Sequence, residues 1–525
     1  MKSQFSTYLD IQRDAEEDKI ELQKVDKILT IGLMSILLII PLLVRPHVAE
    51  YISPLITDHS VLDTGMHSDV FTYYKYFLLV GFTIILSLVF IYKVTILNYQ
   101  IAKTKLNVLI AILYMAIILS AIFSPYKMLA LTGMYDRHDG TITYLCYLTL
   151  FFIAANIQYS ERKLKWVLYC LYPFVIVNIF LGMATFLGYD ILKISWIKNI
   201  FLFNLPEGAQ VGEGSIFRTT INHGNYISGA SAVITLLFLT WALFDNNKIR
   251  AAVNIIISLL SFTTILTSLS VSGFLTLICM LPLLGLLFVK IERKLKSAII
   301  LVVFFIGSSV TYLTMVNHNS KVWDETFGFV IKQNPFVEGK GFENVGRNVT
   351  NFLGPTKALA ESNSANEGYE LPKLPESGIG AGSGRLYIWK ETFKLIQERP
   401  LFGYGLDTLQ YSFPQDDPMK HANIETYKVI VDKPHNMFIG IAYGIGIVGF
   451  IAFLGIILLA LGATIKALIK TKVNSPVFIA TAMAIIAYLF QALFNDSIIG
   501  STIIFWILLG TLVALLNNEQ ETEVR

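Results

Sequence analysis

Three side chains in this sequence have the chemistry to handle a phosphorylated substrate: Arg218 in RTTINHGN, Arg385 in GSGRLYIWKETFKLIQE and His435 in KPHNMFIG. Arginine presents a planar fork of donors that matches phosphate oxygens. Imidazole titrates near neutrality and can accept a proton from a hydroxyl. Two guanidiniums and one imidazole at one face are the inventory for holding a diphosphate while a nucleophile attacks beside it. Each also has a plainer reading: His435 as an ordinary helix-start residue, Arg385 as an anchor for an interfacial helix, Arg218 as the surface arginine of a capped helix. A fourth candidate, Arg137, lies in the run Tyr135-Asp136-Arg137-His138-Asp139. That run either lines the same cavity or is a polar loop with paired charges, and the second is the default.

The elements that must carry these residues are membrane spans. Of 525 residues, 54% are hydrophobic and 15% charged, and the mean hydropathy is +0.59. A water-soluble domain is excluded, and lipid must be the main solvent. Apolar runs of about 20 residues match the hydrocarbon thickness, and only helices satisfy their own backbone there. Twelve spans are predicted, at 28–44, 75–92, 106–123, 141–157, 164–187, 226–244, 251–269, 271–289, 297–315, 437–465, 476–494 and 499–516. The fold class is therefore all-α, a polytopic transmembrane helical bundle with a large, partly helical outer loop. The net charge of +3 is spread over many loops and gives no sign of a nucleic-acid partner. Cys146, Cys170 and Cys279 sit in apolar runs, so neither a disulfide nor a metal is assigned to them. Residues 1–27 are too long and too acidic for the start of a cleaved signal, so the first span is read as retained.

Twelve spans put both termini on one side, and the basic residues choose which. With the N-terminus in the cytoplasm, the inner loops read YKVTILNYQIAKTK, SERKLK, NNKIR, KIERKLK and KALIKTK, and all five are basic. The order is then a cytoplasmic segment 1–27, spans over 28–315, an extracytoplasmic loop 316–434, spans over 435–516 and a cytoplasmic tail 517–525. Within the long loop, 354–383 is rich in Gly, Ser and Asn and reads as flexible, while 385–398 has apolar residues at amphipathic helical spacing. GYG at Gly403 to Gly405 follows Pro400 and reads as a turn rather than an ion filter. Gly444, Gly446 and Gly449 after His435 either allow close helix packing or break off a short re-entrant helix, with packing the preferred reading. Charge gathers at the outward mouths of the spans rather than within them, which favours a site at the outer leaflet over a mid-bilayer pathway.

In their order, SPYKMLALTGMYDRHDG, RTTINHGN, GSGRLYIWKETFKLIQERPLFGYGLD and PHNMFIGIAYGIGIVGF resemble the bacterial O-antigen ligase and O-antigen polymerase family. The resemblance runs in pieces from about 124 to 465, and the order and placement of the motifs carry it more than any one of them. It implies a metal-independent glycosyltransferase without cofactor, in the bacterial cytoplasmic membrane with an outward-facing site. Its donor would be an undecaprenyl-diphosphate-linked glycan, and its acceptor a hydroxyl of a glycan, lipid or wall polymer. Carried over, Arg218 and Arg385 would hold the diphosphate and His435 would be the base or orienting group. One departure stands out: many relatives carry an arginine after the serine between the seventh and eighth spans, where this chain reads SLSVSGF, Ser268 to Phe274. The rival readings are a lipid-linked glycan transporter or flippase, and a non-catalytic assembly protein. Against the transporter stand the absence of repeated halves and the scarcity of charge within the spans.

Overall fold

The computed structural model describes residues 15–55, 64–101, 104–201, 203, 218–221, 223–329, 331, 334, 375–424, 429–469 and 475–524. Each predicted span contains helix. In chain order these are α1 (Ala15–Ile39), α2 (Tyr73–Thr95), α3 (Lys105–Phe123), the short α4 (Lys127–Thr132), α5 (Thr141–Ala155), α6 (Glu161–Tyr169), α7 (Tyr172–Phe186), α8 (Ser195–Phe201), α9 (Gly224–Phe244), α10 (Lys248–Thr267), α11 (Val271–Val289), α12 (Lys294–His318) and α13 (Lys321–Asp324). After the long loop come α14 (Arg385–Glu398), α15 (Leu409–Ser412), α16 (Pro418–Ile424), α17 (Met437–Ile469), α18 (Pro476–Gln491) and α19 (Ile499–Val524). Among the described residues, nine helical stretches are long and apolar enough to cross a membrane, α6 and α7 counting as one, while α5 and α18 are shorter apolar helices. The fold is all-α and polytopic, with one small exception. An antiparallel hairpin, β1 (His47–Tyr51) with β2 (Gly65–Asp69), precedes α2, in register His47 opposite Asp69; this short, partly polar pair was not expected.

Burial sorts the helices into centre and rim. In α9 and α19, 94% of the apolar window is buried, against 28% in α2 and 33% in α3 and α12. Helix α9 packs against α10, α11 and α18, and α19 against α5. The rim helices turn side chains such as Ile85, Leu88, Val108 and Ile306 outward, where hydrocarbon rather than water suits them.

Helix α17 is broken at its tenth residue. Gly446 has φ +71°, a conformation that costs L side chains energy. A Cβ there would lie 2.3 Å from the Leu401 carbonyl oxygen. The groups freed by the break are taken up by the loop after α14: Ile447 N donates to Pro400 O at 2.7 Å, Tyr404 N to Tyr443 O at 3.0 Å and Gly405 N to Gly444 O at 3.0 Å. So RPLFGYG is the turn expected, and it also latches the break. The glycines do pack closely, Gly444 against Leu406 and Gly449 against Ala116, but the preference for packing alone over a break is corrected by the backbone.

The helix predicted at 385–398 is α14. Ile388, Leu395 and Ile396 are buried as expected, whereas Leu386 and Phe393 face outward. The buried stripe packs on Ile439, Ala442 and Tyr443 in the first segment of α17. The flexible stretch expected at 354–383 lies outside the described residues up to 374; beyond it, Ile379 bridges to Ile424.

Candidate functional site

His435 stands one residue before the cap of α17. Its φ of +53° is unusual for a side-chain-bearing residue and marks strain held by surrounding contacts. Those contacts come from the turn between α18 and α19. Asp496 Oδ1 accepts from Asn436 N at 3.1 Å, and Asp496 Oδ2 lies 3.1 Å from His435 Nδ1. Asn436 Oδ1 in turn caps the helix, accepting from Phe438 N and Ile439 N. On the other flank Lys433 Nζ donates to Ser497 O at 2.9 Å, and Trp389 Nε1 of α14 donates to Pro434 O at 2.7 Å. The strap 432–436 is thus clamped from both sides.

Electrostatics fixes how this pair is protonated. Burial disfavours ionisation of Asp496, but the hydrogen bond and charge of His435, with Lys433, hold its carboxyl below the usual range. Burial likewise works against the imidazolium, yet Asp496, aided by Asp432, raises the His435 pKa above 6.5. Since the carboxylate can only accept, Nδ1 donates, and in the neutral ring Nε2 carries the lone pair. The His435 side chain is 40% exposed and that of Asp496 only 5%, so the ring is partly open to its surroundings while its partner is enclosed.

His223, the cap of α9, lies within electrostatic reach of Arg218, Arg385 and His435. Burial lowers the His223 pKa first, and the charges of His435, Arg218 and Arg385 press in the same direction, opposed by Asp432. Arg385 opens α14 and its pKa is lowered by burial against the pull of Asp496 and Tyr226; Tyr226 OH reaches Asp496 at 3.4 Å. Among the described residues neither Arg218 nor Arg385 forms an ion pair with a carboxylate, although Arg385 feels the charge of Asp496. Arg137 lies differently. Its Nε is 2.9 Å from Asp407 Oδ1, its Nη1 pairs with Asp432 and lies 3.7 Å from Asp136, and its Nη2 has no hydrogen-bond partner among the described residues. Asp139, next but one, accepts from Ser497 Oγ at 3.1 Å and sits 3.6 Å from Lys433; burial pushes its carboxyl up to about 7. A cavity of about 40 Å³ lies among Asp139, Asp407, Asp432, Lys433 and Asp496, behind the strap. The departure noted in SLSVSGF also borders α9: Ser270 Oγ donates to Asn225 Oδ1 at 2.5 Å, and Leu269 has φ +48°.

A partly exposed imidazole anchored by a buried carboxylate, with Arg218 and Arg385 in electrostatic reach of the neighbouring helix cap, has the chemistry to bind an anionic leaving group and deprotonate a hydroxyl. Residues 256–454 match the O-antigen ligase family. The matched stretch runs from α10 into α17 and contains both Arg385 and His435. A Rickettsia conorii protein provisionally named a polysaccharide ligase is 37% identical over 70 residues, 13% of this chain and 17% of that relative's length. The apolar helices and the O-antigen ligase match indicate a multi-pass membrane protein.

Sequence reasoning did not single out Asp496, Asp432, Asp407 or His223. Asp496 carried one usable signal, a carboxylate in FNDSIIG, the short turn between two apolar runs. His223 lay within RTTINHGN beside the arginine that was chosen.

Proposed function

We propose that this protein is a membrane glycosyltransferase of the O-antigen ligase or polymerase type. It moves a glycan from an undecaprenyl-diphosphate carrier to an acceptor hydroxyl at the outer face of the bacterial cytoplasmic membrane. The observation that carries the reading is the His435–Asp496 dyad, with Arg218, Arg385 and His435 all acting on the same helix cap, His223. In the reaction the acceptor oxygen bonds to the anomeric carbon as the bond to the carrier's diphosphate oxygen breaks. The leaving pair of electrons stays on the diphosphate, where Arg218 and Arg385 stabilise it, and the hydroxyl proton passes to His435 Nε2. Asp496 holds the ring in the productive tautomer and stabilises the imidazolium that results. Direct displacement inverts the anomeric centre. Arg137, enclosed by three carboxylates, acts as a positioning residue: through Asp432 it holds the strap that carries His435. The arginines take the place of a metal, and no cofactor is required.

The test is turnover by purified protein in a bilayer, supplied with carrier-linked glycan and an acceptor, in the presence of chelator. Lengthened or transferred glycan with release of undecaprenyl diphosphate supports the reading. Movement of carrier-linked glycan across the bilayer without release contradicts it in favour of a transporter.

A further inference from the structure

A second cavity, of about 320 Å³, opens at the far end of the bundle from His435. It lies among the C-terminal ends of α9, α11 and α17 and the N-terminal ends of α12 and α18. His435 and His223 mark the N-terminal ends of α17 and α9, so the 21 residues of α9 separate the two sites by about 30 Å at 1.5 Å per residue. Its polar wall carries Lys290, Arg293 and Lys296 against a single carboxylate, Glu292. The nearby Asp245 is already taken by Arg250, whose Nη2 is 2.6 Å from its Oδ1. Lys296 Nζ donates to the Asp245 carbonyl and Lys290 Nζ to the Leu468 carbonyl, so both ammonium groups are held in place by backbone, with Lys296 also within reach of the Asp245 charge that Arg250 shares. Helix α12 begins here with no acidic residue in its first turn and no side-chain cap, which adds the positive end of a 25-residue helix. The other wall is apolar, with Leu243, Phe244, Leu287 and Ile479. Next to it in sequence, Leu286, Val289 and Leu295 are at least 68% exposed, as suits contact with acyl chains.

We propose that this cavity holds the headgroup of an anionic phospholipid. Lys290, Arg293 and Lys296 take the phosphate, and the acyl chains run along the exposed leucines and valine. Excess positive charge at a membrane surface draws anionic headgroups, and the apolar wall favours a lipid over free phosphate. The assignment to the inner leaflet rests on the orientation read from the five basic loops; the binding chemistry does not rest on the proposed reaction.

The experiment is native mass spectrometry of the whole protein released from bilayers of equal phosphatidylglycerol and phosphatidylethanolamine. The wild-type chain should retain phosphatidylglycerol several-fold over phosphatidylethanolamine. Lys290→Gln/Arg293→Gln/Lys296→Gln should lose that preference, and Arg162→Gln/Lys163→Gln, on a different basic loop, should keep it. Equal retention of the two lipids by the wild-type chain, which needs no variant, would overturn the proposal. So would an unchanged preference in the triple variant, or inorganic phosphate protecting the protein from heat as well as phosphatidylglycerol does.

Discussion

His435 Nδ1 and Asp496 Oδ2 lie 3.1 Å apart, although 61 residues separate them in the chain. The proposed base therefore depends on a carboxylate delivered by the turn between α18 and α19. Because Asp496 favours the charged ring, His435 keeps its proton to higher pH than an isolated histidine. The rate needs the neutral ring, so it should rise with pH through a midpoint above 6.5. Asp496→Asn removes the charge and should move that midpoint downward, while lowering the plateau rate on the order of tenfold or more. A pH–rate profile for both proteins checks this; an unmoved midpoint would separate Asp496 from the titrating group.

The two arginines should behave alike. Each is proposed to touch the diphosphate in the ground and transition states, so Arg218→Ala or Arg385→Ala should weaken donor binding and lower turnover together. Lysine keeps the charge and loses the fork, so Arg218→Lys and Arg385→Lys should recover only part of the loss. Donor affinity and initial rate, measured side by side, decide the matter.

Arg137 should answer differently. Its partner Asp407 has a side chain only 1% exposed, and removing one member of a buried ion pair costs about 3–5 kcal/mol. Arg137→Gln should lower the apparent melting temperature by several degrees, more than Arg385→Ala does. Arg137→Gln/Asp407→Asn, which removes the uncompensated charge, should regain part of it. A donor-binding defect with unchanged stability would instead make Arg137 a substrate ligand.

Orientation can be read with an impermeant thiol reagent on intact cells, using a chain in which Cys146, Cys170 and Cys279 are serine. Ile379 and Leu295 are 66% and 78% exposed. Cysteine at 379 should label and cysteine at 295 should not. Labelling at 295 would reverse the topology and place the dyad in the cytoplasm.

Nine of the twelve expected spans were legible among the described residues because each is a run long enough for hydrocarbon, and α14 because its apolar spacing is local. The break at Gly446 was legible only as the less favoured of two readings, since what stabilises it comes from a distant loop, where Pro400 O accepts and Tyr404 N and Gly405 N donate. For the same reason Arg218, Arg385 and His435 could be chosen by side-chain chemistry, while Asp496 could not. A hydropathy reading passes from 494 to 499 and skips the turn that holds it. Arg137 was legible as a charge among charges; its three carboxylate partners, two of them some 270 to 295 residues away, were not.

The most direct test of the account is His435→Ala, assayed for donor binding and for product at matched protein levels in a bilayer. Arg218 and Arg385 remain, so donor affinity should stay within about twofold of wild type, while turnover falls on the order of a hundredfold or more for a lost proton acceptor. A His435→Ala protein that makes product at the normal rate would contradict the account.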